Sequence, residues 1–365
     1  MPRLFLSSLA TLLAILGMAA ACSTPTEPPP LEEPDPLFEQ GDYGGPALPG
    51  TEELFNLMPS PDGERIALIR ARTPGVSTDP RNQLWIVDRD GSNPRLISVN
   101  TGTANWSPDG NDLAVTVGLG GDVYAYTIDL ETLEATQWTG REDQRLSLPV
   151  ANNPKWFSDG HRLLITVSQK AYQQPFERGQ YIIDTRDSTT TGPIVELMEG
   201  TSFGNRQEYV VGQKYLPDRG PNDGNFARYD FADGTWHWIT DIPRDSLTRV
   251  LVDVPVPSPT ADLVVQSRYV GFAKQLVLFR PDPDGADDDA RQITELGGDN
   301  PRWEPDGSGF LFKRDVHRGE GAHYVPFRFD LETRKAKPLW PALPDSVPDF
   351  PDLSTQTLSQ SFNRR

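Results

Sequence analysis

The sequence predicts an all-β protein built as a six-bladed β-propeller, with four antiparallel strands in each blade. Three observations carry this expectation. A glycine-closed turn recurs at Gly63 in "PSPDG", Gly110 in "WSPDG", Gly160 in "WFSDG" and Gly307 in "WEPDG". The steps between these glycines are 47, 50 and 147 residues, and the last equals three steps of 49. A short apolar run ending in an acid follows each turn at a similar distance, and no sustained helical periodicity interrupts the pattern. A fixed period of this size marks a repeat architecture, in which one supersecondary unit buries its surface against the next.

Each unit supplies its four strands in order. The first ends at the aromatic residue before the turn, as in "ANW" ahead of Ser107. The second follows the turn as an apolar run, such as Ile66-Ala67-Leu68 or Leu163-Leu164-Ile165. The third reads "QLWIVD", "VYAYTID", "QYIID", "NFARYD", "QLVLFRPD" and "HYVPFRFD" in successive units. The fourth reads "PRLIS", "ATQWT", "PIVEL", "WHWIT", "RQIT" and "AKPLW". The 147-residue gap should hold two units that have lost the turn signature, at "FGNRQEYVV" (Phe203 to Val211) and "PSPTADLVV" (Pro257 to Val265). A long β-solenoid or a sandwich accounts less well for so even a period.

The turn has a structural rationale of its own. In Ser107-Pro108-Asp109-Gly110 the serine suits the first position, proline presets φ at the second, and glycine closes the turn. Asp109 is placed to accept nearby amides, and Trp106, Trp156 and Trp303 are expected to pack between adjacent blades.

"NWSPDG", "KWFSDG" and "RWEPDG", with a third strand of the "YxxDLET" kind, resemble the WD40-like repeats of the TolB propeller. The same repeat occurs in propellers attached to prolyl-oligopeptidase-type peptidases. The resemblance covers roughly Glu52 to Pro341 and implies a fold more than an activity, because one propeller scaffold serves several functions. Two features depart from TolB. The stretch ahead of the propeller is too short for the α/β domain that TolB carries there, and TolB is soluble whereas this chain resembles a lipidated one.

That lipidation is read from residues 1–21, where Arg3 precedes an apolar run closed by small residues. "AAAC" (Ala19 to Cys22) resembles a bacterial lipobox with Ala in place of the usual Leu, and the resemblance implies acylation of Cys22. Lipidation also explains a single cysteine in an exported chain. Ser23 after the cysteine implies sorting to the outer membrane, facing the periplasm. Residues 22–51 are rich in Pro and acid and should form an extended tether, residues 52–341 the propeller, and residues 342–365 a weakly structured tail.

The net charge of -18 argues against nucleic acid as a partner and against electrostatic docking on anionic lipid, so membrane contact should run through the lipid anchor alone. No catalytic set, metal site or cofactor is expected. "GTSFG" (Gly200 to Gly204) matches G-x-S-x-G, but a nucleophile elbow needs a strand, a sharp turn and a helix, and Ser202 sits between two units of a β repeat. His161, His237, His317 and His323 show no zinc-ligand spacing. The runs at Asp88 ("DRDG") and Asp282 ("DPDGADDDA") lack the twelfth-position Glu of a calcium loop, with Val99 and Ile293 standing there, and read as hairpin turns.

Charge sorts by face. The turns after the first and third strands of each blade are acidic. The opposite face should gather Arg70, Arg72, Arg178, Lys214, Arg219, Arg314, His317 and Arg318 with Tyr172, Phe176, Tyr215, Tyr269 and Phe272. Arg and aromatic residues anchor interfaces, so this face is expected to bind an envelope protein or peptide. The alternative is an envelope enzyme or a sensor acting on a small ligand in the channel, such as an acidic sugar. Oligogalacturonate lyases exemplify it, but their metal-binding His and carboxylate cluster has no counterpart in the sequence.

Overall fold

The computed structural model describes residues 52–72, 82–119, 122–140, 151–167, 179–195, 198–203, 208–215, 224–240, 255–270, 273–280, 291–294, 297–315, 324–339 and 343. All regular elements among them are strands, grouped in six four-stranded antiparallel sheets. Blade 1 comprises β1 (Glu52–Pro59), β2 (Arg65–Arg72), β3 (Asn82–Asp88) and β4 (Arg95–Val99). Blade 2 comprises β5 (Thr101–Trp106), β6 (Asp112–Leu119), β7 (Asp122–Asp129) and β8 (Ala135–Gln137). Blade 3 follows with β9 (Ala151–Trp156), β10 (Arg162–Val167), β11 (Gly179–Asp184) and β12 (Thr190–Val195). Blade 4 holds β13 (Met198–Phe203), β14 (Tyr209–Tyr215), β15 (Gly224–Asp230) and β16 (Trp236–Trp238). Blade 5 holds β17 (Val256–Pro257), β18 (Val264–Val270), β19 (Ala273–Phe279) and β20 (Arg291–Gln292). Blade 6 closes the set with β21 (Asp299–Trp303), β22 (Gly309–Asp315), β23 (Tyr324–Asp330) and β24 (Lys335–Pro338). The fold is the predicted six-bladed propeller, and both degenerate units fall where the 49-residue period places them.

The second strands are apolar without alternation because each blade is covered on both faces. Along β2, Ile66 and Leu68 pack in the cluster shared with blade 6, while Ala67 and Ile69 pack with Trp106 and Val115 of blade 2. Along β10, Leu163, Ile165 and Val167 meet Ala114, Ala125 and Trp138 of blade 2, while Leu164 meets Val210 of blade 4. Successive side chains of one strand point to opposite sheet faces, so each strand supplies two interfaces in turn.

The aromatic residue at the end of the innermost strand also bonds across blades. Trp106 donates its indole N–H to the carbonyl of Met58 at 2.8 Å, and Trp303 to that of Val256 at 2.7 Å. Ahead of the turn the first strand carries a β-bulge in blades 1, 2, 3, 4 and 6. In three of those strands the bulge holds an asparagine in the left-handed region, Asn56, Asn153 and Asn300, each at φ 53°. A bulge bends its strand and increases the local twist, which suits strands that converge on a common axis.

Among the described residues no strand is shared between the chain's ends, since each sheet is contiguous in sequence. Closure between blades 1 and 6 therefore rests on side chains. Leu54, Leu57, Trp85 and Leu96 of blade 1 cluster with Leu311 and Leu339 of blade 6. Glu304 takes the position that serine holds in the turn of blade 2, and its carboxylate meets Arg89 of blade 1 at 3.3 Å and Arg328 of blade 6 at 2.7 Å. Burial raises the Glu304 pKa, and the positive charge of Arg89 works against that shift.

Candidate functional site: the channel and its two faces

The turn face is built from groups that satisfy one another. In the blade 2 turn, Ser107 Oγ donates to Asp109 at 2.7 Å and accepts the Asp112 amide at 2.8 Å, while Asp109 also accepts the Asn111 amide at 3.1 Å. Gly63, Gly110, Gly160 and Gly307 lie at φ 71–73°, left-handed backbone that glycine adopts without a Cβ clash. The serine hydrogen bond, first among several, holds the Asp62, Asp109 and Asp306 carboxyls below their ordinary pKa. The acids that end the third strands of blades 2 and 6 also accept amides of the following turn. Asp129 accepts the Thr132 amide at 2.7 Å, and Asp330 the Thr333 amide at 2.7 Å. Asp88 accepts Asn93 Nδ2 at 2.6 Å, so "DRDG" forms a hairpin turn. The run at Asp282 lies outside the described residues.

The six first strands line the channel, because each stands at an edge of its sheet and neighbouring first strands pack together. The residue before the blade-end aromatic points away from the preceding blade, since the aromatic points toward it. At this position Asn105 of blade 2 reaches forward and donates to Pro154 O at 2.8 Å. The same register in blade 3 holds Lys155 and in blade 6 holds Arg302. Both are half-buried, and blades 3 and 6 face each other across a six-membered ring. Burial, reinforced by the charge of Arg302, holds the Lys155 pKa down to about 7. The Lys155 side chain is half-buried, and its ammonium forms no ion pair or hydrogen bond with the described residues. Arg302 also donates to Pro301 O at 2.8 Å.

The residues expected on the opposite face divide into three groups. Arg70 and Arg314 are buried, with 1% and 3% of their surface exposed, which corrects their assignment to a partner-binding surface. They lie seven residues beyond Gly63 and Gly307, a position that the buried Arg268 shares in blade 5. There the guanidinium group braces the fold. Arg314 donates to Gly297 O at 3.0 Å and stacks 4.6 Å from the centre of the Phe327 ring, while Arg268 bonds Gln266 at 2.8 Å and stacks 4.7 Å from Phe279. Tyr269, by contrast, is 40% exposed at the end of β18. Blade 5 connects its second and third strands across only two residues, 271 and 272, rather than through a long loop. Arg72, Lys214 and Tyr215 lie in β2 and β14 with side chains outside the described residues. Tyr172, Phe176, Arg178, Arg219, Phe272, His317 and Arg318 lie outside the described residues, as does Cys22.

Ser202 is buried within β13, where it pairs with Val211, and a strand interior is not an elbow. His161 sits 3.4 Å from an Asp159 oxygen, and His237 3.4 Å from Asp230. Among the described residues, no three His, Cys, Asp or Glu side chains gather in metal-holding geometry. No described helix is long and apolar enough to cross a membrane.

Lys155 and Arg302 share a local sequence signal. "NPKW" and "NPRW" appear in blades 3 and 6, with the bulge asparagine and the channel cation at the same spacing.

No known family's sequence profile matches the chain, and no curated protein matches it. Solved structures do. TolB from Acinetobacter baumannii superposes with a TM-score of 0.58 at 18% identity, over 76% of this chain and 63% of that one. The tricorn protease gives 0.57 at 18% identity, over 82% of this chain and 27% of that one. A manganese-bound oligogalacturonate lyase gives 0.51 at 16% identity, over 79% and 80%. The chain thus spans under two thirds of the first two structures, and at these identities the likeness concerns fold. Six contiguous four-stranded blades give this protein a six-bladed β-propeller fold that is similar to the propeller of TolB.

Proposed function

We propose that this protein is a lipid-anchored binding module of the cell envelope, whose face opposite the acidic turns takes a protein or peptide partner. The observation that carries the reading is Tyr269, the exposed large hydrophobic side chain among the described residues, which stands on that face. Aromatic side chains with a polar tip are typical interface anchors. The turn face offers little by comparison, because its serines, aspartates and amides are already bonded to each other. The fold shared with TolB is compatible with this reading. Anchoring would come from acylated Cys22, with residues 22–51 as the tether between lipid and ring and the outer membrane as the attachment site.

The test is affinity capture from envelope extract with the full chain as bait. Tyr269→Ala, and separately Arg178, Arg219 and Arg318 all changed to Ala, should deplete the same captured protein at least tenfold. An unchanged captured set for both variants would overturn the proposed face. Incorporation of radioactive fatty acid into the wild-type chain but not into Cys22→Ala tests the anchor independently.

A further inference from the structure

We propose that the partner face binds an acidic peptide segment at the step from blade 5 to blade 6, where Lys313 takes a side-chain carboxylate of the partner. The inference rests on the partner face proposed above and adds the chemistry of what that face recognises.

A continuous run of contacts marks the place. Tyr269 near the end of β18 pairs directly with Lys274 near the start of β19. Directly opposed side chains stand on one sheet face, with Cβ atoms about 5 Å apart. Lys274 Nζ reaches into blade 6 and donates to Asp299 Oδ2 at 3.2 Å. Asp299 begins β21 and pairs with Lys313 of β22, whose ammonium lies 3.4 Å from the same oxygen. Lys313 Nζ also sits 4.2 Å from the centre of the Tyr324 ring, at the start of β23. All five residues occupy the ends of their strands remote from the acidic turns, so Lys313 and the exposed Tyr269 belong to one face.

Lys313 is the group in this run with donors to offer. Its side chain is 18% exposed, open to a ligand on one side and shielded on the others. No described residue takes a hydrogen bond from its ammonium: Asp299 Oδ2 stands at ion-pair distance and already accepts from Lys274. The Tyr324 ring attracts the charge through its π face but leaves the N–H groups to other acceptors. A carboxylate from outside forms charge-assisted bonds there, stronger than those of a neutral carbonyl. Asp299 limits the charge the site accepts. A dianionic phosphate is repelled more by that neighbouring carboxylate than a monoanionic acid is. One ammonium grips a free acid weakly, whereas the adjoining Tyr269 adds contact area for the residues that flank an acid in a peptide. In a chain of net charge -18 an acidic partner is repelled over most of the surface, so a cationic step also fixes where it docks.

The test applies the labelled full chain to an array of end-blocked decapeptides, in matched sets that carry glutamate, glutamine or phosphoserine at one central position. Members that bind are then measured in solution by fluorescence anisotropy. Glutamate members should bind about tenfold more tightly than their glutamine counterparts. Lys313→Met should abolish that preference and Lys313→Arg, which keeps the charge, should retain it, with thermal midpoints confirming that both variants fold. The proposal is overturned if glutamate and glutamine members bind equally, if phosphoserine members alone bind, if no glutamate member binds, or if Lys313→Met keeps the preference. Capture from envelope extract separates this inference from the reading it rests on. If Tyr269→Ala depletes the captured protein and Lys313→Met does not, the face stands and the acid site falls; if neither depletes it, the face itself falls.

Discussion

At the scale of single residues, the turn serine and the channel lysine make opposite statements about stability. Ser107 spans Asp109 and the Asp112 amide, so Ser107→Ala should cost about 1 kcal/mol, measured by urea unfolding. The associated carboxylates add a pH dependence. Asp62, Asp109 and Asp306 have folded pKa values below 3.8, so the unfolded chain takes up their protons first as pH falls. Their contribution is complete above the ordinary carboxylate range and disappears as pH drops through the lowered folded values. Thermal midpoints should therefore fall between pH 4 and pH 2, and less steeply in Ser107→Ala, where one of these shifts is relieved. Lys155 runs the other way. Its folded pKa of about 7 lies below the unfolded 10.5, so below pH 7 the buried ammonium opposes folding at full strength. As pH rises from 7 to 10.5 the folded chain has already released a proton that the unfolded chain keeps, and the cost shrinks. Lys155→Met should raise the melting midpoint at pH 6 and raise it less at pH 9, measured without added ligand. A midpoint that falls equally at both would contradict this account.

At the scale of elements, the blade is defined by what its first strand does to the blade before it. Trp303→Phe keeps the ring in place but removes the bond to Val256 O, leaving that carbonyl unmet, and should cost on the order of 1–2 kcal/mol in equilibrium unfolding. The Trp and its turn were legible in the sequence because both are local: the spacing of Ser, Pro, Asp and Gly specifies hydrogen bonds within six residues. The strands were legible too, since coverage on both faces gives continuous apolar runs such as Ile66-Ala67-Leu68-Ile69. The bulges were not, because an asparagine in a strand gives no warning of its φ until two blades repeat it before proline. Arg70 and Arg314 misled for a related reason. An arginine near the end of a strand looks solvated, and only the neighbouring chain reveals a ring such as Phe327 under it. The influence of Arg302 on Lys155 was illegible: residues 147 positions apart feel each other's charge only once the ring is closed.

At the scale of the whole molecule, the seam between blades 1 and 6 depends on Glu304. Glu304→Ala strands Arg89 and Arg328, whose side chains are about one third exposed and can rehydrate, so the expected loss is on the order of 1–3 kcal/mol rather than that of a fully buried pair. In a double-mutant cycle with Arg89→Ala, the coupling should be on the order of 1 kcal/mol by chemical denaturation. A coupling near zero would mean that the apolar cluster around Leu54 and Leu311 closes the ring unaided.

The side-chain seam has a mechanical consequence. Residue 52 begins β1, an edge strand of the seam blade, and β24 ends the blade on the other side of it. Tension applied at residue 52 enters the ring at the seam between blades 1 and 6, where, among the described residues, separation breaks the Glu304 ion-pair network and the apolar cluster around Leu54 and Leu311 and no ladder of backbone hydrogen bonds. Under load this ring behaves as a clasp and not as a hoop: it yields first at blade 1, by peeling, while the five remaining blade-to-blade contacts stay engaged.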